Sequence, residues 1–431
     1  MTGVALAALD LPDRLNQREP PWRREARFAA IDWLATNPMP TRRDESWRYT
    51  PVDELADLLG RGVHPRTSFG LASGQVDLMA GDHGGVRLVF VNGAFAAGPS
   101  NLGVQDIVTA RPLSDLDRNA PPSPVLEADR FDGFVALNGL AGDDGAAVTV
   151  HADATAGAPI HIVHVAAPDL DTCAITHPSS TVRIQPGATA TVIESYVGFS
   201  GAALTNASTV IDVGDTATLT YHRVQTEARD AAHVGHVRIR ASRDATVTCT
   251  SFNIGGRISR VAFDISLLGD RAELDLSGLY VPAGDERQDQ MVTIEHVGSH
   301  TRSTQRLKGV VDDHARGCFT GNVIVRPGTV DTVADQTNHS LLLTATAESD
   351  TRPWLEILAD DVRCTHGATV GRLDDEALFY LRTRGIPEPE ARSLLIEGFT
   401  SEILDSVAVE SLRDLLSARI HAKQRRPEEP R

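Results

Sequence analysis

Cys364 and His366 are the two residues of this chain whose types and spacing could do metal chemistry together. They lie in LEILADDVRCTHGATVGRLDDEALFYLRTRGI, Leu355 to Ile386, where a run with strand character gives way abruptly to a helical one. In a strand successive side chains alternate faces, so Val362, Cys364, His366 and Ala368 project together while Arg363 and Thr365 point the other way. One soft thiol and one imidazole are thus presented side by side. Both titrate near neutrality and both ligate transition metals, iron included. Two donors do not complete a coordination sphere, so the remaining ligands must come from elsewhere. The pair also has an ordinary reading, in which the cysteine is a small buried hydrophobe and the histidine a hydrogen-bonded packing residue. Structural metal sites normally show two ligand pairs at set spacing, which Cys-x-His alone does not supply.

The rest of the composition narrows the chemistry further. The other cysteines, Cys173, Cys249 and Cys318, form no Cys-x-x-Cys pair with each other or with Cys364, so neither a disulfide framework nor a self-contained cluster site is present. Lysine occurs only at Lys308 and Lys423, and neither stands in a Gly-Lys-Ser/Thr sequence. The chain therefore carries no P-loop and no ATP site of that kind. A formal charge of −17 disfavours nucleic acid and anionic membranes as partners. The apolar run Val4 to Leu9 has no preceding positive residue and ends at Asp10, too short for a signal peptide, and no segment is long enough to span a membrane. A reducing cytosol is the expected compartment.

These residues must be positioned by a chain of 431 residues whose aromatics are only 5 %, so its packing rests on Val, Ile, Leu and Ala. The first 69 residues read as an N-terminal helical region: Glu25 to Leu34 places Phe28, Ile31 and Leu34 at helical spacing, Pro38 and Pro40 stop it, and Val52 to Leu59 makes a second helix. Residues 70–85, rich in Gly, Ser and Asp, read as a linker or an ordinary surface loop. From 86 to 370 short runs of alternating Val, Ile, Leu and Thr are punctuated by Gly and Asp. Self-similarity in PGATATVIES, GDTATLTYHR, SRDATVTCTS and GDRAELDLSG puts Ala190, Ala217, Ala245 and Ala272 at spacings of 27, 28 and 27. That period is too short for a propeller blade and favours a parallel β-helix, with a β-sandwich as the alternative. Ala315 in DHARGCFTGN follows Ala272 by 43 and breaks the period, which an insertion around Pro282 to Gln290 would explain.

Residues 371–424 read as a helical domain. Asp374, Asp375 and Glu376 load the first turn of one helix, and Gly385 with Pro387 ends it. Pro389 opens a second helix with Ala391, Leu394, Leu395 and Phe399 on one face, and Leu412, Leu415, Leu416 and Ile420 stripe a third. Such an appendage would cap the solenoid's end or dock a partner. Residues 425–431 are charged, Pro-containing and expected to be disordered.

From Gln336 to Phe399 the motifs QTNHSLLLTATAESDTRPWLEILADDVRCTHGATVG, LDDEALFYLRTRGI and EARSLLIEGF follow one another in an order that resembles the SufB/SufD family of the SUF iron-sulfur cluster assembly system. WRYTP (Trp47 to Pro51), RLVFVNGAF (Arg87 to Phe95) and FVALN (Phe134 to Asn138) extend the resemblance thinly to the N-terminal half. The SufB branch is expected to carry a His-Glu pair before the helix and an essential cysteine upstream. Here Gly367 follows His366 and no cysteine lies between Cys318 and Cys364, so the SufD branch fits better. His339 stands where that branch would have asparagine and Thr365 where it would have serine.

The resemblance implies a mainly β fold, a right-handed parallel β-helix core flanked by N-terminal and C-terminal α-helical segments. It further implies a non-catalytic scaffold that pairs with a SufB-type subunit and a SufC-type ATPase. A transient iron-sulfur cluster would be shared at the partner interface, with His366 the expected ligand and Cys364 either a ligand or a packing residue. The ATPase would meet the C-terminal helices, where Phe379, Tyr380 and Phe399 are candidates, and the isolated chain could form a homodimer. A SufB-type paralogue acting as the main scaffold is the alternative. A carbohydrate-active β-helix enzyme is disfavoured, because Asp312 with Asp313, and Asp360 with Asp361, would point to opposite faces of a strand. An autonomous zinc site is disfavoured too: His161 and His164, like His233 and His236, alternate faces and read as surface or turn-edge residues.

Overall fold

The structure, a computed structural model, describes residues 20–63, 70–103, 106–116, 132–142, 144–168 and 172–424. The run Val4 to Leu9 and the tail 425–431 lie outside the described residues. Helices α1 (Pro21–Thr36), α2 (Val52–Arg61), α3 (Ser73–Ala80) and α4 (Gly133–Ala141) belong to the N-terminal part. Strands β1 (Val86–Val91), β2 (Ala94–Phe95), β3 (Val108–Pro112) and β4 (Ala146–Val150) begin the sheets. One ten-stranded sheet then continues through β5 (Ile160–Ala166), β8 (Thr189–Gly198), β10 (Thr218–Gln225), β12 (Thr246–Asn253), β14 (Glu273–Tyr280), β16 (Arg302–Val311), β18 (Thr332–Leu342) and β20 (Val362–Arg372). The second continues through β6 (Ala174–Thr176), β7 (Ser179–Ile184), β9 (Ala203–Val213), β11 (Ala231–Ala241), β13 (Ile258–Leu267), β15 (Arg287–His296), β17 (Arg316–Val325) and β19 (Glu348–Ile357). From β5 onward, neighbours within each sheet are parallel, and from β7 onward successive strands of the chain alternate between the sheets. This is a parallel β-helix, and it excludes the sandwich.

The repeat register is a column of buried alanines that differs in one copy from the sequence expectation. Thr218 pairs with both Thr189 and Thr246, and Thr246 with Glu273, so Ala217, Ala245 and Ala272 are aligned with Ala188 and not with Ala190. The period also continues without an insertion. Glu273 pairs with Arg302, which brings Thr301 into the column 29 residues after Ala272. Ala315 leads into β17 in the opposite sheet, and Arg287 within the supposed insertion starts β15. The gap of 43 arose from comparing one sheet with the other.

Between the sheets, Val192, Leu219, Val247, Leu274, Ile239, Ile265 and Ile294 belong to one continuous apolar core. Both outer faces are covered by helices. Helices α1, α2 and α4 pack on Leu204, Ala232, Val234 and Ile258 of the second sheet. The WRYTP segment locks this layer: Trp47 stacks on Phe134 with centroids 4.9 Å apart and lies under the Arg260 guanidinium, and the Thr50 hydroxyl donates to Asp289 at 2.6 Å. Residues 70–85 are not simply a linker. Helix α3 within them buries Val76 and Ala80 against Val89, Val163 and Val197, because the outward valines of β1, β5 and β8 need an apolar cover. Helix α4 interrupts a stretch whose composition favours strands; its largely apolar sequence has no period that separates a buried helix from a buried strand. In α1 the buried face is Arg27, Ala30 and Leu34, while Phe28 is exposed.

Covered outer faces bury histidines that would otherwise be solvated. His161 and His222 point from their strands under the helical cover, where His161 shares a hydrogen bond with Ser195 Oγ at 2.9 Å and His222 pairs with Thr250 at 2.7 Å. His164 and His233 face the solenoid interior beside Glu194 and Glu227. These are core residues, not turn-edge residues; their alternation of faces holds, but both faces are dry. Burial pushes His222 and His296 down to about 4 and lowers His161, His233 and His236 as well. Neutral in the fold and free to protonate when unfolded, each such histidine withdraws stability as pH falls from about 6.5 toward about 4, roughly 3 kcal/mol apiece for His222 and His296. Thermal unfolding followed by circular dichroism is expected to show a melting temperature that is flat near pH 7.5 and declines steeply below pH about 6.5. A flat profile down to pH about 4 would contradict this burial.

Candidate functional site

Strands β19 and β20 are the last of their sheets, and each pairs on one side only. The solenoid therefore ends in an open rung. On β20, Cys364 is aligned with Ala334, His366 with Gln336 and Ala368 with Asn338. Ala334, Gln336 and Asn338 are fully buried. Cys364 and His366 thus occupy interior positions of a turn over which, among the described residues, no further turn is laid, so Cys364 is half-buried and His366 exposed.

The two residues meet different surroundings. Cys364 packs with Val362, Leu355 and Ile357 against the edge of the apolar core. Burial raises its thiol above the ordinary value, and the charge of Asp335 adds to this against an opposing hydrogen bond from the Ala334 backbone. His366 stands above the polar part of the interior, where Gln305, Gln336, Asn338, Ser340 and Thr351 form the floor. Gln336 Nε2 donates to Gln305 Oε1 at 2.9 Å, and Asn338 Nδ2 donates to Thr351 Oγ1 at 3.0 Å. The sequence expectations did not include this floor, although QTNHS read with period two places Gln336, Asn338 and Ser340 on one face. On the outward face of the same two strands, Thr365 Oγ1 donates to Asp335 and His339 pairs with Thr369 at 2.7 Å.

Among the described residues no three His, Cys, Asp or Glu side chains converge in a way that could hold a metal ion. Cys364 and His366 are presented on one face at the open rung, and further donors would have to be brought to them. The remaining cysteines are buried, and burial raises Cys249 and Cys318 strongly. Alkylation of the native chain with iodoacetamide at pH 8, read by mass spectrometry, is expected to modify Cys364 first and slowly, with the other three reacting only in denaturant. Rapid labelling of Cys249 would overturn that picture.

The candidate partner residues separate. Helix α5 (Asp375–Thr383), capped by the Asp374 carboxylate accepting from the Glu376 and Ala377 amides, buries no residue. Phe379 and Tyr380 on it are 68 % and 56 % exposed. Helices α6 (Glu388–Leu404) and α7 (Glu410–Gln424) instead lie along the outer face of the first sheet, not across the solenoid end. Their buried side chains, Ile396, Ile403, Leu404, Leu412, Leu416 and Ile420, meet Ile193, Val224, Phe252, Leu279 and Val310. The buried face of α6 is carried by Ala391, Ile396, Thr400, Ile403 and Leu404, and Leu394 points outward. Phe399 is half-buried, with the Lys308 ammonium 4.9 Å from its ring centroid and donating to its carbonyl oxygen at 2.9 Å.

The described residues thus form a two-sheet parallel solenoid of the β-helix class, with an open terminal rung, Cys364 and His366 on one face there and a helical module docked on its side. Residues 166–399 match the family model described as the SufBD core domain of SUF system FeS cluster assembly. The chain is 31% identical over 395 residues, 90% of each chain, to the iron-sulfur cluster assembly protein SufD of Escherichia coli (strain K12). It is 29% identical to an iron-sulfur cluster assembly SufBD family protein of Synechocystis, covering 90% of this chain and 88% of that one. With SufD of Bacillus subtilis it shares 28% identity over 74% of this chain and 73% of that one. The chain belongs to the SufBD family and is a homologue of SufD. No helix among the described residues is long and apolar enough to cross a membrane.

Proposed function

We propose that the chain is a non-catalytic scaffold subunit that, with a SufB-type partner, holds a nascent iron-sulfur cluster as cargo at the open end of its solenoid. The observation that carries this reading is the pair of donors, His366 and Cys364, on an interior face left uncovered by any further turn. A partner laid against β19 and β20 would supply the missing ligands, and moving it away would open the site. A closed four-ligand site would tend to retain its cluster. In this reading His366 is the ligand and Cys364, half-buried with its thiolate disfavoured, contributes less. ATP is supplied by a SufC-type subunit that docks on the C-terminal helices, chiefly through Phe379 and Tyr380, with Phe399 at the margin of that surface. The work is done in a reducing cytosol, and no nucleic acid or membrane takes part.

Co-expression of the tagged chain with SufB-type and SufC-type subunits, followed by anaerobic purification and reconstitution with iron and sulfide, tests this reading. A stoichiometric complex that retains acid-labile sulfide after desalting, where the chain alone retains none, is the expected result. A chain that purifies only as a homodimer in the presence of both partners, or that binds a cluster equally well alone, would refute it.

A further inference from the structure

We infer that Gln336 is a positioning residue for His366, its side-chain carbonyl accepting the imidazole N–H so that the other ring nitrogen is free to ligate iron. The inference rests on the reading of His366 as a cluster ligand and names the group on this chain that prepares it. Gln305, Gln336 and His366 stand in one interior column on β16, β18 and β20. Both glutamines are buried, and Gln336 Nε2 is committed to Gln305 Oε1 at 2.9 Å. Gln336 Oε1 is buried and accepts nothing among the described residues.

The slot that holds this amide is built for it. Gly321 on the facing β17 has no side chain, and a Cβ there would come 2.3 Å from Gln336 Nε2, so any other residue would push the amide out of the column. A buried carbonyl left without a donor destabilises the fold, and strands one rung apart are separated by about 4.8 Å, within reach of a rotating imidazole. The flanking floor positions offer no substitute. Ala334 has no polar side chain, and the Asn338 amide is used by Thr351 on one side and approached by the Tyr280 hydroxyl on the other. His366 makes no hydrogen bond among the described residues in the present rotamer. Turning its N–H down onto Gln336 Oε1 satisfies both groups at once. A ligating histidine whose second nitrogen is held in this way has a fixed tautomer and ring orientation and a more basic ligand nitrogen.

The test compares wild type with Gln336→Met, which keeps the volume and removes the acceptor, and Gln336→Glu, which keeps an acceptor. On the full chain labelled with 15N-histidine, the His366 ring is assigned by difference from His366→Ala. Its two nitrogen resonances are expected to show a single tautomer in wild type and Gln336→Glu, and an averaged mixture in Gln336→Met. On the complex reconstituted with SufB-type and SufC-type subunits, Gln336→Met is expected to lose cluster by about ten-fold or more and Gln336→Glu to recover most of it. Identical nitrogen spectra in the three proteins would overturn the inference, and so would a Gln336→Met complex that retains a full cluster. If Gln336→Met fails to fold, a mixed tautomer or a cluster deficit in the folded Gln336→Glu chain overturns it instead. The spectra are taken without iron or partners, so they read the Gln336–His366 contact independently. Failure of the ligand reading would show separately, as a full cluster yield in His366→Ala.

Discussion

His366→Ala is expected to leave the chain folded and in complex while the iron and acid-labile sulfide retained after reconstitution fall by more than about ten-fold. Loss of a direct ligand should cost at least what loss of a group orienting one does. The fold should survive the change: His366 is exposed on an edge strand, so its removal opens no cavity, and the only buried group it would leave unmet is the single Gln336 carbonyl. Cys364→Ser is expected to do less to the cluster. The thiol sits against Leu355, Ile357 and Val362, where burial already opposes its ionisation, and the substitution trades apolar contact for a hydroxyl at the rim of the core. Iron and sulfide content per complex, with circular dichroism and gel filtration as folding controls, decides the matter. Equal cluster yields for His366→Ala and wild type would return the pair to a packing role. A larger loss for Cys364→Ser than for His366→Ala would move the ligand to sulfur.

The coil is legible in the sequence because its unit is local and repeated. Small alanines and alternating apolar residues recur each turn, and strand alternation alone is enough to assign Cys364 and His366 to one face. The register error at Ala190 has a simple origin: PGATATVIES offers two alanines two residues apart on the same face, and only strand pairing distinguishes them. What is not legible is what lies on the outside of the coil. Period two says that His161 and His164 point apart, but not that helices lie over one face and a packed interior over the other. Helix α3 is masked because Gly and Asp at the ends of residues 70–85 outweigh the short apolar pattern between them, and its stability comes from tertiary burial of Val76 and Ala80. The polar floor under His366 is hidden for a related reason. Gln336 and Asn338 look like surface residues until the facing strand, with its Gly321, is known to leave them room.

Removing everything after Arg372 is expected to leave an insoluble or molten chain, so the contact of α5 with a partner must be tested by side-chain replacement. Helices α6 and α7 cover Ile193, Val224, Phe252, Leu279 and Val310, and they and the turn between them contribute seven buried apolar side chains of their own, Ile396, Ile403, Leu404, Val407, Leu412, Leu416 and Ile420. At about 1.5–3 kcal/mol for each, the gross burial on the helix side alone is roughly 10–20 kcal/mol before ordering entropy is subtracted. The chain's two lysines strengthen the same junction. Lys308 meets Glu402 at 2.6 Å, and Lys423 meets Glu286 at 2.5 Å in a pair with both side chains almost wholly buried. Deletion would remove Lys423 from this pair and uncover the sheet face on which the apolar residues lie. Phe379→Ala with Tyr380→Ala touches none of this, because α5 buries no residue. The double variant is expected to melt within about 2 °C of wild type, as surface changes within about 0.5 kcal/mol do in a large chain. Its co-purification with a SufC-type ATPase should nevertheless be lost, since exposed aromatics dominate interfaces they anchor. If the double variant keeps the ATPase at wild-type stoichiometry, α5 is not the docking element, and the contact must lie on the outward faces of α6, where Leu394 is exposed.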